Sequence, residues 1–189
     1  MPNFNPAQFV IGTSAWGSRI PVSRAVSVGA ALVDAGFARF DSAPTYGSSY
    51  AHYALNRLAD KTGVEITVDT KHGQLNERSL RGIAKKILRA TSLGVLASSF
   101  WQQPSRDRMS ENFWETDRLI QVYLMSRREL NHAKIDVFYY HAPPMPVLGP
   151  EFSAFQDILA SQGATLGVAE PIMEDLLWLR RHPERRTVV

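Results

Sequence analysis

Short apolar runs and amphipathic stretches alternate along almost the whole chain, and this alternation limits the fold more than any other feature. Gln8–Thr13, Phe37–Phe40, Val64–Thr70, Ile135–Tyr140 and Ala164–Val168 read as strands, and Thr187-Val188-Val189 as the start of a sixth. Helix-period stretches lie between them. Pro21–Ala35 carries Val22, Val26, Ala30 and Val33 on one face, with Gly36 placed as its stop. A second helix, capped by Ser48 or Ser49, carries Tyr53, Ala54, Leu55 and Leu58 to about Asp60. Further helices are expected from Asn76 through Leu88, around Leu119, Ile120, Tyr123, Leu124 and Leu130, over Glu151–Ser161, and after Pro171. Residues 91–112 have no firm period and read as a loop.

Strand–helix alternation implies an α/β fold with a parallel sheet and right-handed crossovers. Two architectures satisfy it: an open doubly wound sheet, and part of a (β/α)8 barrel. Neither Gly-x-Gly-x-x-Gly nor Gly-x-x-x-x-Gly-Lys-Ser is present, which favours the barrel. The expected fold is one domain over 1–189, an incomplete (β/α)8 TIM-barrel-like parallel barrel of about six β/α units. Six strands cannot close such a barrel without open parallel edges, which leaves three expectations: a fragment of a longer barrel, edges covered by self-assembly or by a partner chain, or a scaffold cut down for another task.

Composition narrows the class. The chain has 189 residues, 44% of them hydrophobic, enough for one sizeable core. Its formal net charge of +3 is too small to argue for nucleic acid. It lacks cysteine, so it has no disulfide framework, thiolate metal site or thiol nucleophile, which fits a cytoplasmic protein. No stretch approaches the roughly 20 apolar residues of a membrane helix, and no His, Asp and Glu cluster has metal-ligand spacing.

The chemistry gathers at strand ends. Asp41 follows strand two, Tyr46 lies in the turn beyond it, Lys71 ends strand three and His141 ends strand four. In a parallel barrel these ends share one face. A free phenol titrates near ~10, too high for efficient proton donation at neutral pH. An adjacent ammonium favours phenolate, and a buried lysine needs a carboxylate partner. A neutral histidine can orient a carbonyl. The set suits protonation of an oxygen that is gaining charge, as in hydride addition to a carbonyl, enolisation or dehydration.

Gly12-Thr13 after strand one, Asp41-Ser-Ala-Pro-Thr-Tyr46-Gly47, Thr70-Lys71 and Ile135-Asp-Val-Phe-Tyr-Tyr-His141 together resemble the aldo-keto reductases. The resemblance implies reduction of a small-molecule carbonyl with NADP(H). Tyr46 would be the acid, with Lys71, Asp41 and His141 completing the tetrad and Gly12, Thr13 and Asp41 near the cofactor. The family pattern differs in two places. Its Gly-Val-Ser-Asn after strand five, which holds the nicotinamide carboxamide, is Gly167-Val168-Ala169-Glu170 here. Its Ser-Glu pair after the Tyr-Gly loop is missing, with Ala51-His52 near that place. The family's cofactor-phosphate loops follow strands seven and eight, beyond this stretch. Two other functions therefore stand beside reduction: a nicotinamide-free lyase, dehydratase or isomerase, and a non-catalytic interaction subunit.

Other residues have two readings each. Trp16 either lines the substrate pocket or packs over the barrel mouth. His52 is expected on a helix surface. His72 points away from Lys71 by strand alternation and is expected to pack between helix and sheet. Phe100, Trp101, Phe113 and Trp114 are expected as ordinary packing of a long insertion rather than a lid. Arg180, Arg181, Arg185 and Arg186 are expected to complement a helix dipole.

Overall fold

The structure, a computed structural model, describes residues 5–72, 116–141, 153–169, 173–183 and 187–188. The expected Asn76 helix, the 91–112 loop, the Phe100–Trp114 aromatics, Arg185 and Arg186 lie outside these residues.

Six strands among the described residues form one parallel sheet in strictly sequential order. They are β1 (Ile11–Gly12), β2 (Arg39–Asp41), β3 (Ile66–His72), β4 (Ala133–His141), β5 (Thr165–Ala169) and β6 (Thr187–Val188). The helices are α1 (Val22–Asp34), α2 (Tyr50–Thr62), α3 (Thr116–Glu129), α4 (Ser153–Ser161) and α5 (Met173–Arg181). The order decides between the two candidate architectures. A doubly wound sheet reverses its strand order and covers both faces with helices. Sequential neighbours joined by right-handed crossovers keep every helix on one face, as in a barrel wall.

The two faces follow from the period of two. Phe40, Ile66, Val68, Phe138, Tyr140, Leu166 and Val168 are buried on the helix side. There Phe138 meets Tyr123 of α3 edge to face at 5.5 Å and Phe155 of α4 at 5.7 Å. The alternate residues Arg39, Asp41, Asp69, Lys71, Tyr139 and Gly167 form the inner face.

Several expectations are corrected. β1 is only two residues long, because Asn5 caps a 3-10 turn over Pro6–Gln8 where the strand was expected to begin. α2 buries Ala51, His52, Ala54, Leu55, Leu58 and Ala59, while Tyr53 is exposed, so its apolar face is rotated from the expected one. Ser49 does not cap α2; its hydroxyl donates back to the Pro44 carbonyl at 3.2 Å. His52 is only 1% exposed and lies inside the molecule, not on the helix surface. His72 is buried on the helix side of β3, as alternation requires.

Candidate active site

The carboxyl ends of β2, β3 and β4 bring Asp41, Tyr46, Lys71 and His141 to one end of the sheet. Asp41 ends β2 and Lys71 is the penultimate residue of β3. Asp41 is registered against Asp69, so Lys71 lies one inner-face step beyond it. The Lys71 ammonium contacts the Asp41 carboxylate, and their side chains are 11% and 29% exposed. It also lies 5.5 Å from the Tyr139 ring centroid, within cation–π range. Burial pushes Lys71 down to about 8; contact with a carboxylate opposes that shift.

Tyr46 opens a tight turn directly beyond β2, its backbone N–H donating to the Ala43 carbonyl at 2.9 Å. Gly47, Ser48 and Ser49 then adopt left-handed backbone in succession, with φ of 58°, 58° and 68°. Gly47 is required twice. Its φ suits glycine, and a Cβ there would stand 2.5 Å from the Trp16 carbonyl oxygen. The Tyr46 turn is thus seated on the Trp16-Gly17 backbone. Burial pushes the Tyr46 phenol above its ordinary range, so in the resting site it holds its proton firmly.

His141 ends β4, half-buried, registered beside Ala169 at the end of β5. Thr13 is fully buried, and its N–H and hydroxyl both donate to the Asp41 carbonyl, at 2.9 and 2.8 Å. It joins β1 to β2 beneath the site, and its hydroxyl is already engaged. Gly12 is exposed, with open space where a Cβ would stand. Trp16 is buried among the helix-side apolar residues, 5.8 Å from Phe40 and close to Gly29 of α1. Phe40 faces the helices, so Trp16 packs the outer layer, away from the inner-face Asp41 and Lys71.

An ionic cluster one layer below the tetrad was not foreseen. Arg39 donates to both carboxylate oxygens of Asp69 at 3.0 Å and reaches Asp136 at 3.0 Å. Asp136 falls at a register shift where Val68 faces Ile135 but Asp69 faces Val137. Burial raises the Asp69 carboxyl, and the bond to Arg39 partly reverses this. Arg39 and Asp69 each stand two residues before Asp41 and Lys71, so strand period alone could have placed them on the same face. Tyr139 lies across Gly167, whose Cβ would stand 2.5 Å from the ring, and so fills the inner face between β4 and β5.

Gly12, with open space where a Cβ would stand, and Ala169 at the end of β5 place no side-chain hydrogen-bonding group at these two strand ends. The Ala169 methyl offers no hydrogen bond to a carboxamide.

A parallel sheet in sequential order, with a carboxylate–lysine pair at its carboxyl end, matches part of the wall of a (β/α)8 barrel. The aldo/keto reductase family model matches residues 8–188, and the chain belongs to that family. No curated protein sequence matches it. Among solved structures it is similar to a glycerol dehydrogenase from Gluconobacter oxydans, with 19% identity and TM-score 0.59, covering 91% of this chain and 47% of that one. An aldo/keto reductase from Brucella melitensis matches at 15% identity and TM-score 0.59, covering 96% and 56%. The holo form of an aldo-keto reductase from Bacillus halodurans matches at 14% identity and TM-score 0.61, covering 96% and 51%. The chain spans about half the length of these relatives. Among the described residues no helix is long and apolar enough to cross a membrane.

Proposed function

We propose that this chain carries the proton-donor half of an NADPH-dependent carbonyl reductase acting on a small-molecule carbonyl in the cytoplasm. The observation that carries the reading is the Lys71–Asp41 pair at the carboxyl end of the inner face, with Tyr46 in the turn directly beyond Asp41. Tyr46 Oη donates its proton to the carbonyl oxygen as that oxygen gains charge. The Lys71 ammonium, held by Asp41, stabilises the phenolate left behind. His141 donates a hydrogen bond that orients the carbonyl. Gly12 and Asp41 would help to hold a nicotinamide, which would supply the hydride when bound.

Ala169 favours one second reading. Without a carboxamide partner after β5, the same four residues would serve a nicotinamide-free lyase, dehydratase or isomerase.

Calorimetric titration of the purified protein with NADPH, with its mass in solution measured alongside, tests the proposal. Saturable micromolar binding is expected. A folded protein that binds no nucleotide would refute the reductase reading and leave the cofactor-free enzyme or the interaction subunit.

A further inference from the structure

The buried histidine of α2 has a use that the tetrad chemistry does not absorb. His52 Nδ1 stands 2.9 Å from Glu129 Oε2, and its Nε2 stands 3.4 Å from Thr70 Oγ1. Glu129 ends α3, and its other carboxylate oxygen stands 3.5 Å from the Ser49 hydroxyl. Its backbone carbonyl accepts from the Asn56 side chain, which also accepts from the His132 N–H at 3.3 Å. The network therefore touches two places that matter. Thr70 precedes Lys71, and Ser49 ends the left-handed run that follows Tyr46.

That run needs an external hold. Left-handed backbone costs roughly 1–2 kcal/mol per residue outside glycine, and Ser48 and Ser49 both adopt it. Such conformations persist only where the surroundings fix them. The Ser49 hydroxyl donates its one proton to the Pro44 carbonyl at 3.2 Å, with Glu129 Oε1 at 3.5 Å as a second, longer acceptor on the helix side. His52 orients Glu129 in turn. As the Nδ1–H tautomer it donates to the carboxylate and accepts from the Thr70 hydroxyl, so both ring nitrogens are satisfied in the core.

We propose that His52 and Glu129 are positioning residues that set the separation of the Tyr46 phenol and the Lys71 ammonium. The pair holds the turn that presents one and the strand that presents the other. The inference rests on Tyr46 being the acid, but the position of the phenol can be read without any turnover.

The test is NMR of protein labelled at the tyrosine ring carbon that bears oxygen, with the Tyr46 signal assigned through Tyr46→Phe. His52→Leu and Glu129→Leu should each shift or broaden that signal. His52→Gln, which keeps a donor for Glu129 and an acceptor for Thr70, should leave it near its wild-type position. Asp60→Asn should leave it unchanged, because it breaks only the exposed His132–Asp60 pair on the same helix. If the wild type reduces carbonyls, His52→Leu should lower kcat roughly 10- to 100-fold with little change in KM, as expected when an acid is misplaced. A Tyr46 signal unmoved in folded His52→Leu, or moved as far by His52→Gln, overturns the inference. Absent turnover in the wild type overturns the reductase reading and leaves the NMR result standing on its own.

Discussion

Lys71→Met should remove a pH dependence of stability that the wild type carries. Burial lowers the Lys71 ammonium from its ordinary 10.5 to about 8, and the side chain is only 11% exposed, so screening by water is small. Between these two values the unfolded chain holds a proton that the folded chain has released. Stability rises with pH wherever the unfolded state binds more protons. Wild-type stability should therefore climb from about pH 8 toward about pH 10.5, by about 3 kcal/mol at most. Below pH 8 both states are charged, and the cost of burying the ammonium is fully present. The Tyr46, Tyr139 and Tyr140 phenols are pushed up by burial and give the opposite trend above about pH 10. They are present in both proteins, so the difference between the wild type and the Lys71→Met variant isolates the lysine. Urea unfolding across this range measures it. A flat difference would mean that contact with Asp41 fully cancels the burial of Lys71. A difference that falls with pH would place its pKa above the ordinary value; either result refutes the reasoning.

The remaining predictions concern packing and the inner face. Leu58→Ala, at a fully buried position of α2 facing Gly29 of α1, should cost about 2–5 kcal/mol in urea unfolding. Gly167→Ala should cost about 1–3 kcal/mol and displace the Tyr139 ring from Lys71, visible as a changed Tyr139 signal in ring-labelled protein. Arg39→Met should cost about 3–5 kcal/mol at pH 7 because it leaves the Asp69 carboxylate buried without its partner. That deficit should shrink toward about pH 4 as the raised Asp69 carboxyl takes up a proton.

What the sequence made legible follows from local period. Pro21 and Gly36 bracket α1, which is found at Val22–Asp34. The alternation in Val64–His72 correctly separates inner Lys71 from outer His72. The spacing of Asp41 and Lys71 at the ends of neighbouring parallel strands anticipates their contact. What stayed hidden depends on partners distant in the chain. His52 looks like a surface residue until Glu129, 77 positions away, is brought beside it. Trp16 lies in a loop without a period, so its turn toward Phe40 rather than the inner face has no local signature. Asp136 reaches Arg39 through a register shift that no strand pattern announces. The capping role expected of Ser49 fails because the left-handed run after Tyr46 directs its hydroxyl back to Pro44.

The most direct test of the central proposal is transfer of deuterium from reduced NADP deuterated at the nicotinamide, to a panel of small aldehydes and ketones, with the alcohol products analysed by mass spectrometry. The account predicts deuterium on the former carbonyl carbon with the wild type. It predicts a loss of roughly 100-fold or more with Tyr46→Phe, within the range expected for removing a general acid, while that variant still binds the nucleotide. Equal transfer by wild type and Tyr46→Phe would contradict the assignment of Tyr46. No transfer by a wild type that binds NADPH, with substrate converted in the absence of nucleotide, would replace reduction by cofactor-free chemistry at the same four residues.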